Sequence, residues 1–313
     1  MDVFAGLLDG PRARGAFLLR GVMEPPWSIR VQDEAPLTLV AMMRGMSWVL
    51  PTEGKPRRLR PGDLAILRGP EPYTVADDLT SQPQVIVHPG QTCTDPRGGT
   101  LSAEMDLGVR TWGNCADGST VMLIGTYQLR GAVSQRLLGA LPDLVVHPRE
   151  AWDSPLLRLL DTEIVKDEPG QEVVLDRLLD LLLVAVLRSW FSRPEAEAPA
   201  WYRALGDPLV GHALRLLHAD PAKSWTVATL AAATGASRAG LARRFTELVG
   251  EPPMTFLAGW RLAVAADLLR EPDVTIGAVA RKVGYGSSFA LSAAFKRVHG
   301  VSPAQYRLAT ADG

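Results

Sequence analysis

The sequence has few of the features that would place it outside the cytoplasm. Its 313 residues include two cysteines, Cys93 and Cys115, and their separation is not that of a Cys-x-x-Cys motif. So few cysteines fit a reducing compartment. No apolar run is long enough to cross a bilayer, and residues 1–15 carry acidic side chains without a signal-peptide pattern. We therefore expect a cytoplasmic protein with no membrane partner.

Signatures of catalysis and of metal binding are missing as well. The sequence contains no nucleophile elbow, no phosphate-binding loop and no cluster of metal ligands. Histidine is rare, because the chain has 5 and residues 16–87 have none. We therefore predict a protein that is not an enzyme and that uses no metal and no other cofactor.

A strong overall charge is also lacking, since the formal net charge is −1. The charge is nevertheless distributed unevenly. Residues 201–313 contain 13 Lys and Arg against 8 Asp and Glu, whereas residues 1–200 contain 20 against 26. Contacts with phosphate groups need a basic surface. The asymmetry therefore favours the C-terminal third of the chain for such contacts.

What this third does contain is a repeat. Residues 226–235 are echoed by residues 275–284 at an offset of 49, which becomes 50 after one extra residue in a turn. Matched positions in order indicate a duplicated unit. The matched pairs are Ser237 with Ser287, Leu241 with Leu291, Phe245 with Phe295, Gly250 with Gly300, Pro253 with Pro303 and Phe256 with Tyr306.

Each copy predicts a helix, a tight turn and a second helix. Thr226 and Thr275 are N-cap residues for the first helix, and a glycine stands where that helix must end. Ser237 and Ser287 then cap the second helix. Between the copies, residues 254–270 predict one uninterrupted helix that sets their separation. The simpler alternative is that both copies are merely packed helical hairpins.

At these residues the sequence resembles the C-terminal DNA-binding domain of the AraC/XylS family of bacterial transcription regulators. The resemblance covers residues 207–308 and is most specific over 280–287, 294–297 and 300–307. It implies an all-α domain with tandem helix-turn-helix motifs that binds double-stranded DNA in the nucleoid. It further implies RNA polymerase as a partner, with activation and repression of transcription both open.

The second helix of each motif is expected to enter the major groove. In the first copy, Leu241 and Phe245 should point into the domain. Arg243 is the strongest candidate for a base contact, because its planar fork matches the O6 and N7 acceptors of guanine. The expected DNA contacts of this helix are Arg238, Ala239, Ala242, Arg243 and, at a phosphate, Arg244.

In the second copy, Leu291 and Phe295 should be buried. Phe289 is expected either to touch a thymine methyl group or to be buried, and the sequence leaves both open. Many family members carry Arg where this chain has Ala293, so we predict that this helix mainly positions the protein. Its expected DNA contacts are Ser288, Phe289, Ser292, Lys296 and Arg297.

The N-terminal part predicts strands, because short apolar stretches alternate with Pro and Gly. Several short strands at this spacing favour a sandwich or barrel, whose interior is a candidate effector pocket. We predict Trp27, Trp48 and Tyr73 as lining residues. The predicted strands are 16–23, 37–44, 47–50, 63–68, 85–87, 121–129 and 144–147, with a loop at 89–100 and a short helix at 134–142.

Residues 59–64 together with 69–73 resemble the second conserved motif of cupin barrels, a sensory fold often joined to AraC/XylS DNA-binding domains. Metal-dependent cupins need a His-x-His pair, a Glu and a later His. Here Tyr73 stands where the later His would fall, and His88 and His147 are isolated. The resemblance therefore implies a metal-free sensor of a small molecule.

A redox signal is the second candidate input. If the turns that carry Cys93 and Cys115 met, the two thiols would form a switch, and the nearby Arg97 and Arg110 would favour thiolate. Two unpaired thiols without a role are the alternative.

The predicted fold class is α+β multidomain, with an N-terminal cupin-like β-barrel that carries a helical appendage and a C-terminal all-α tandem helix-turn-helix domain. We expect the barrel at 1–150, a helical pair at 151–192, a linker at 193–205 and the DNA-binding domain at 206–309. The leucine-rich helix of the pair either packs within one subunit or also faces a second copy in a homodimer.

The predicted function is that of a sequence-specific transcription regulator whose barrel senses a small molecule or a redox signal. Two alternatives from other classes stay open. One is a cupin-type enzyme fused to a DNA-binding domain, and the other is an architectural DNA-binding protein without an effector.

Overall fold

The computed structural model describes residues 17–101, 103–127, 132–133, 138–139, 141–151, 154–193, 198–271 and 273–311. They form two compact units. The N-terminal unit contains the described residues of 11–129 and 141–197, and the C-terminal unit contains those of 130–140 and 198–313. The helical pair thus belongs to the N-terminal unit. Residues 1–15, most of the helix predicted at 134–142 and part of the predicted linker lie outside the described residues.

Two β-sheets make up most of the N-terminal unit. The larger has the strand order β10-β11-β1-β12-β3-β6-β13, and the smaller has the order β5-β4-β7-β2-β8-β9. The strands are β1 Phe17–Met23, β2 Ser28–Val31, β3 Leu37–Arg44, β4 Ser47–Pro51, β5 Arg57–Leu59, β6 Leu64–Arg68, β7 Tyr73–Ala76, β8 Val85–His88, β9 Thr92–Thr94, β10 Asp106–Gly108, β11 Thr111–Gly113, β12 Thr120–Tyr127 and β13 Leu144–His147.

The seven strands predicted from the sequence are confirmed as β1, β3, β4, β6, β8, β12 and β13. The nearly continuous apolar run of β12 reflects the central position of this strand, which lies between β1 and β3. The prediction of a loop over 89–100 is wrong at β9. Pro89 and Gly90 form a turn in which the Gln91 N–H donates to the His88 carbonyl (3.1 Å), and Thr92–Thr94 then pairs with β8. Pro and Gly are frequent in loops, and here Pro89 and Gly90 form the turn of a β-hairpin.

The two sheets share one hydrophobic core. Because side chains alternate along a strand, every second residue of each sheet points between them. Val40 and Met42 of β3 meet Ile29 of β2 and Val75 of β7 in this core, and Trp27 is fully buried there. Each such large apolar side chain contributes roughly 1.5–3 kcal/mol by leaving water. β13 pairs with β6 and is an edge strand of the larger sheet. It therefore does not connect the two edges of that sheet with each other.

Two helices, α1 Leu156–Ile164 and α2 Gln171–Phe191, pack on the larger sheet. The Tyr127 hydroxyl of β12 donates to the Leu179 carbonyl (2.9 Å). At Gly125 a side chain would start 3.1 Å from the Leu179 Cδ2 atom, so the glycine lets helix and sheet approach closely. The leucine-rich sequence of α2 predicts an amphipathic stripe of Leu175, Leu178, Leu179, Leu182, Leu183, Val186 and Leu187. All of these side chains are buried except that of Leu178, which is half-buried.

The C-terminal unit is helical apart from its connections. Its helices are α3 Ala200–Ala204, α4 Pro208–Ala219, α5 Val227–Ala233, α6 Arg238–Val249, α7 Pro253–Leu268, α8 Ile276–Lys282, α9 Ser288–His299 and α10 Pro303–Ala311. Residues 132 and 133 belong to this unit, and their backbone N–H groups donate to the Asp267 carboxylate at 2.5 and 3.2 Å. This contact could not be predicted from the sequence, because almost every residue type has the backbone N–H that donates here.

The N-cap hydrogen bonds of the two copies are the same, which confirms the duplication predicted from the sequence. Thr226 and Thr275 accept the N–H groups of Thr229 and Ala278, both three residues on. Ser237 and Ser287 likewise accept the N–H groups three residues further along α6 and α9. Each cap satisfies a donor at a helix start that has no partner in the helix. The same local chemistry has therefore built helix, turn and helix twice.

The turn glycines, Gly235 and Gly284, share a backbone conformation but differ in surroundings. Their φ angles are +70° and +80°, in the left-handed region that costs a residue with a side chain. A Cβ on Gly235 would meet nothing within 4 Å, whereas one on Gly284 would lie 2.6 Å from the Ala222 carbonyl oxygen. The second turn thus packs on the loop that precedes α5.

This difference predicts that Gly284→Ala destabilises the C-terminal unit more than Gly235→Ala does. Both variants place alanine at positive φ, for about 1 kcal/mol each, and only Gly284→Ala also displaces the Ala222 backbone. Calorimetry of the full chain should show the larger fall in melting temperature for Gly284→Ala. Equal falls would mean that the loop at Ala222 moves aside freely.

Candidate nucleic-acid interface

Helix α6 has one buried and one exposed face. Leu241 and Phe245, one turn apart, are fully buried in the core of the first motif. Arg238, Ala239 and Arg243 are exposed and Ala242 is half-buried, as expected from the sequence. The side chain of Arg243 is 80% exposed, and its Nε lies 3.8 Å from Glu247 Oε1. An exposed pair of this length is weak, so Arg243 is available to a ligand.

Arg244, predicted to meet a phosphate, already has a partner within the protein. Its Nε and Nη2 atoms donate to Asp207 Oδ2 at 3.1 and 3.0 Å. The other oxygen of Asp207 caps α4 by accepting the N–H groups of Leu209 and Val210 at 3.0 and 2.9 Å. The hydrogen bond from the Val210 N–H contributes most to holding the pKa of Asp207 below its usual value, and the bonds from Arg244 and Leu209 act in the same direction. Arg244 therefore fastens α6 to the start of α4, and a phosphate would compete with that carboxylate.

Helix α9 repeats the arrangement with fewer charges on its outer face. Leu291 and Phe295 are fully buried, whereas Ser288, Ala293, Lys296 and Arg297 are exposed and Ser292 is half-buried. Phe289 is 82% exposed, so of the two alternatives left by the sequence the buried one is wrong. A phenyl ring this exposed has no part in the core and is positioned for an external apolar group.

The last turn of α9 also holds an imidazole, that of His299, which packs against aromatic rings. His299 stacks on Phe295 with ring centroids 4.2 Å apart, and the Tyr306 ring lies 5.3 Å from that of Phe295. Burial lowers the pKa of His299. The positive charge at this end of α9 therefore comes from Lys296 and Arg297.

The two motifs are joined by more than the connecting helix. Helix α7 has 16 residues, which gives a length of about 24 Å. From its middle, the Arg261 Nε donates to the Pro221 carbonyl (2.7 Å) and the Nη2 donates to the Lys223 carbonyl (2.8 Å). Between these carbonyls lies Ala222, whose backbone touches Gly284 of the second turn. The loop 221–223, which we call the clamped loop, is thus held by α7 on one side and by the second motif on the other.

The N-terminal unit contains a cavity of about 160 Å³ between its two sheets. Of the three predicted lining residues, Tyr73 is in its wall. Trp27 is buried in the core, and Trp48 is half-buried with the Arg58 guanidinium 5.9 Å from its ring centroid, and neither lines this cavity. The apolar wall is formed by side chains at alternating strand positions, which are Phe17, Leu19, Ile29, Val31, Val87 and Ile124.

The two cysteines are free and half-buried. Cys93 lies in the cavity wall. Burial raises the pKa of its thiol, so the expectation that neighbouring arginines favour a thiolate there is wrong. Arg97 and Arg110 do not offset that burial. A redox role of Cys93 and Cys115 stays a prediction.

The two isolated histidines of the N-terminal unit, His88 and His147, are hydrogen-bonded to side chains of the protein. His88 Nε2 lies 2.9 Å from Thr94 Oγ1, and His147 Nε2 lies 2.8 Å from Ser189 Oγ. Burial, together with the charge of Arg193, lowers the pKa of His147 to about 4. Within the ranges that the structure describes, three or more His, Cys, Asp or Glu side chains do not gather as metal ligands. No helix in those ranges is long and apolar enough to cross a membrane.

The Asp207 contacts predict a pH dependence of stability. A carboxylate whose pKa is lowered by folding stabilises the protein at pH values above its unfolded-state pKa of about 3.9. This contribution is lost as the pH falls through the lower pKa of the folded state. Asp207→Asn keeps a capping oxygen but no charge. Its melting temperature should therefore fall less than that of the parent between about pH 6 and about pH 3.

Asp207→Ala is the companion variant, because it removes the cap as well as the charge. We expect it to cost about 1 kcal/mol at neutral pH. A parent-like pH dependence in Asp207→Asn would contradict a role for the charge, and an undiminished stability of Asp207→Ala would contradict the cap.

Known proteins resemble both units. The family described as cupin matches residues 2–192, and the family described as helix-turn-helix domain matches residues 230–309. An AraC-like transcription regulator of Streptomyces antibioticus is 34% identical over 288 residues, which cover 90% of each chain. The HTH-type transcriptional regulator MtrA of Neisseria gonorrhoeae is 27% identical over 318 aligned positions, which cover 98% of each chain.

Solved structures match as well. The DNA-binding domain of AdpA, a global transcriptional factor, in complex with a target DNA is 36% identical over 33% of this chain and 93% of its own, with a TM-score of 0.31. The duplicated motifs, the cupin match over more than half of the chain and the AraC-like relative along nearly all of it agree. The chain therefore belongs to the AraC-type family of DNA-binding transcription regulators, with a cupin-like N-terminal domain and a helix-turn-helix C-terminal domain.

Proposed function

We propose that this regulator reads DNA with α6 and uses α9 mainly to fix its position on the duplex. The observation that carries the proposal is the contrast between the exposed faces of two equivalent helices. Arg243 offers an exposed and only weakly paired guanidinium on α6, whereas α9 has Ala293, Ser288 and Ser292 on its outer face. A bidentate guanidinium discriminates between bases, and short hydroxyl groups and phosphate-directed cations discriminate less.

The separation of the helices supports contact with one side of the duplex. Successive major-groove faces lie about 34 Å apart. A connecting helix of about 24 Å, to which each motif adds its own width, fits that repeat. The clamped loop supports a fixed orientation of the two motifs, so that both engage the same duplex.

Arg243→Ala should weaken binding to a selected operator by about 1–3 kcal/mol, or roughly 5- to 150-fold, because it removes the bidentate contact. Operators selected from random DNA and gel-shift titrations at fixed salt would measure this. Arg215→Ala is the matched control, since Arg215 is an exposed arginine on α4, outside both second helices. Unchanged affinity and sequence preference in Arg243→Ala would exclude the assignment.

We also propose a homodimer formed through α2. Alongside its buried stripe, this helix carries an outer stripe of Val174, Leu178, Leu181 and Ala185, spaced as on one helical face. Leu181 is 54% exposed. Such a stripe is costly to leave in water, and a second copy of the same helix would cover it symmetrically.

Leu181→Arg should dissociate the dimer, because it places a charge at the centre of the proposed interface. Val173→Arg is the control, since Val173 is as exposed, at 61%, but lies about a quarter turn away from the stripe. Sedimentation of the full chain would report the mass of each variant. A monomeric parent, or equal behaviour of the two variants, would contradict a dimer through this face.

We further propose that the N-terminal unit controls DNA binding through a small molecule in the cavity between its sheets, with RNA polymerase as the protein partner and the cytoplasmic nucleoid as the place of action. The cavity between the sheets supports the first part, and the naming of the relatives as transcription regulators supports the second. The same naming favours regulation over the enzyme alternative. Comparing operator affinity and transcript output with and without candidate effectors tests this part.

A further inference from the structure

The cavity between the sheets has a size that limits its ligand. Its volume of about 160 Å³ is close to that of an engineered apolar cavity of about 150 Å³ that binds benzene. One aromatic ring with a short substituent, or a branched alkyl group of equal size, fills such a space. The walls select for apolar surface, because the side chains of β1, β2, β8 and β12 that line the cavity are aliphatic or aromatic, with the exception of Thr126.

One charged group, Asp33, interrupts the apolar wall. Its Oδ1 accepts the Ala35 N–H at 3.2 Å, and its Oδ2 accepts the Gln91 Nε2 amide at 2.9 Å. Each oxygen keeps a further lone pair. None of the ion pairs found among the described residues includes Asp33. Over the ranges that the structure describes, no basic side chain forms an ion pair with this negative charge at the cavity.

The field of this carboxylate reaches the interior of the cavity. Tyr73, whose ring is also in the wall, has a raised pKa, first because it is buried and in addition because Asp33 repels the charge of a tyrosinate. The same field that disfavours an anion at Tyr73 favours a cation in the space between them. Asp33 thus sets the sign of the charge that a ligand can bring.

Aromatic rings add to the preference. Phe17, Tyr73 and Trp112 all belong to the wall. The faces of such rings attract cations, and more strongly when water is excluded. An ammonium group beside Asp33 would be close to a carboxylate on one side and to aromatic surface on the other, which replaces part of its lost hydration.

The loop that orients Asp33 is held in an unusual conformation. Gln91 has φ +61°, a left-handed backbone that residues with side chains seldom adopt. In this conformation its amide reaches Asp33 and its carbonyl lies 3.9 Å from the Cys93 sulfur. Backbone strain of this kind persists where the surroundings hold it, and it is frequent at ligand sites.

Resting on the sensing function proposed above, we propose that the effector of this regulator is a small lipophilic cation, in which an ammonium group pairs with Asp33 and a ring or branched alkyl group fills the cavity. A neutral ligand of the same shape would gain the apolar contacts but not the ion pair. An anion of the same shape would meet the unneutralised carboxylate and would be excluded.

The test uses three probes that share a benzyl-sized ring and differ in charge: benzylammonium, benzyl alcohol and benzoate. Calorimetric titration of the full-length chain should give affinities in that order, with benzylammonium at least about tenfold tighter than benzyl alcohol. Asp33→Asn should reduce this ratio to about one and leave the affinity for benzyl alcohol unchanged. Asp143→Asn is the control, because Asp143 pairs with Arg68 outside the cavity wall and should keep the parent ratio.

Two results would overturn the proposal. One is equal binding of the cation and the alcohol, or binding of none of the three probes, by the parent chain. The other is a ratio that survives Asp33→Asn, with circular dichroism and melting temperature showing that this variant is folded. A merely structural role of Asp33 would lower all affinities together and would leave the ratio unchanged.

The sensing function itself fails in a different way. If benzylammonium binds with the expected preference but leaves operator affinity unchanged, the ligand class stands and the proposed control of DNA binding does not. If operator affinity responds to other small molecules but not to benzylammonium, the sensing function stands and the class of ligand is overturned.

Discussion

The clamped loop is the contact on which the fixed orientation of the two helix-turn-helix motifs depends. A tandem repeat by itself yields two groove-binding helices on a flexible joint, and each would then bind DNA with its own modest affinity. Arg261 holds the loop by two carbonyls, and the missing side chain of Gly284 lets the second turn rest on Ala222. The entropy of orienting the second motif is therefore already lost on folding. DNA binding then does not have to offset this loss again.

The N-terminal unit solves a different problem, that of keeping a cavity in a packed interior. Stacked sheets normally fill the space between them, as Trp27 and its neighbours do in this core. Where β1, β2, β8 and β12 present medium-sized aliphatic groups, a gap persists. An empty apolar gap forgoes dispersion contacts and so destabilises the unit, and a ligand that fills it recovers them. If an effector binds in this cavity, as we propose, its binding therefore also stabilises the sheets.

Local signals decided how much could be predicted. The caps Thr226, Ser237, Thr275 and Ser287 act on N–H groups three residues away, so the sequence contains both partners and the motifs were predicted closely. Strands were likewise found from short apolar runs. What the sequence did not reveal are contacts between distant residues. Tyr73 was predicted to line the cavity because it is an aromatic residue of the predicted barrel. Asp33, Gln91 and Trp112 join the cavity wall only through the pairing of strands far apart in the chain.

Arg243 and Arg244 illustrate the same limit within one turn of one helix. Both are arginines, the residue type expected at a DNA contact, and they are adjacent in the sequence. They differ because Asp207, 37 residues earlier, captures Arg244, whereas the nearest carboxylate to Arg243 is an exposed one at 3.8 Å. A captured guanidinium must leave a capping carboxylate partly unpaired before it meets a phosphate, which opposes part of the gain. Assigning a basic residue to DNA therefore requires a count of the acids around it. On α6 that count separates the arginine that we propose to read DNA, Arg243, from Arg244, which fastens α6 to α4.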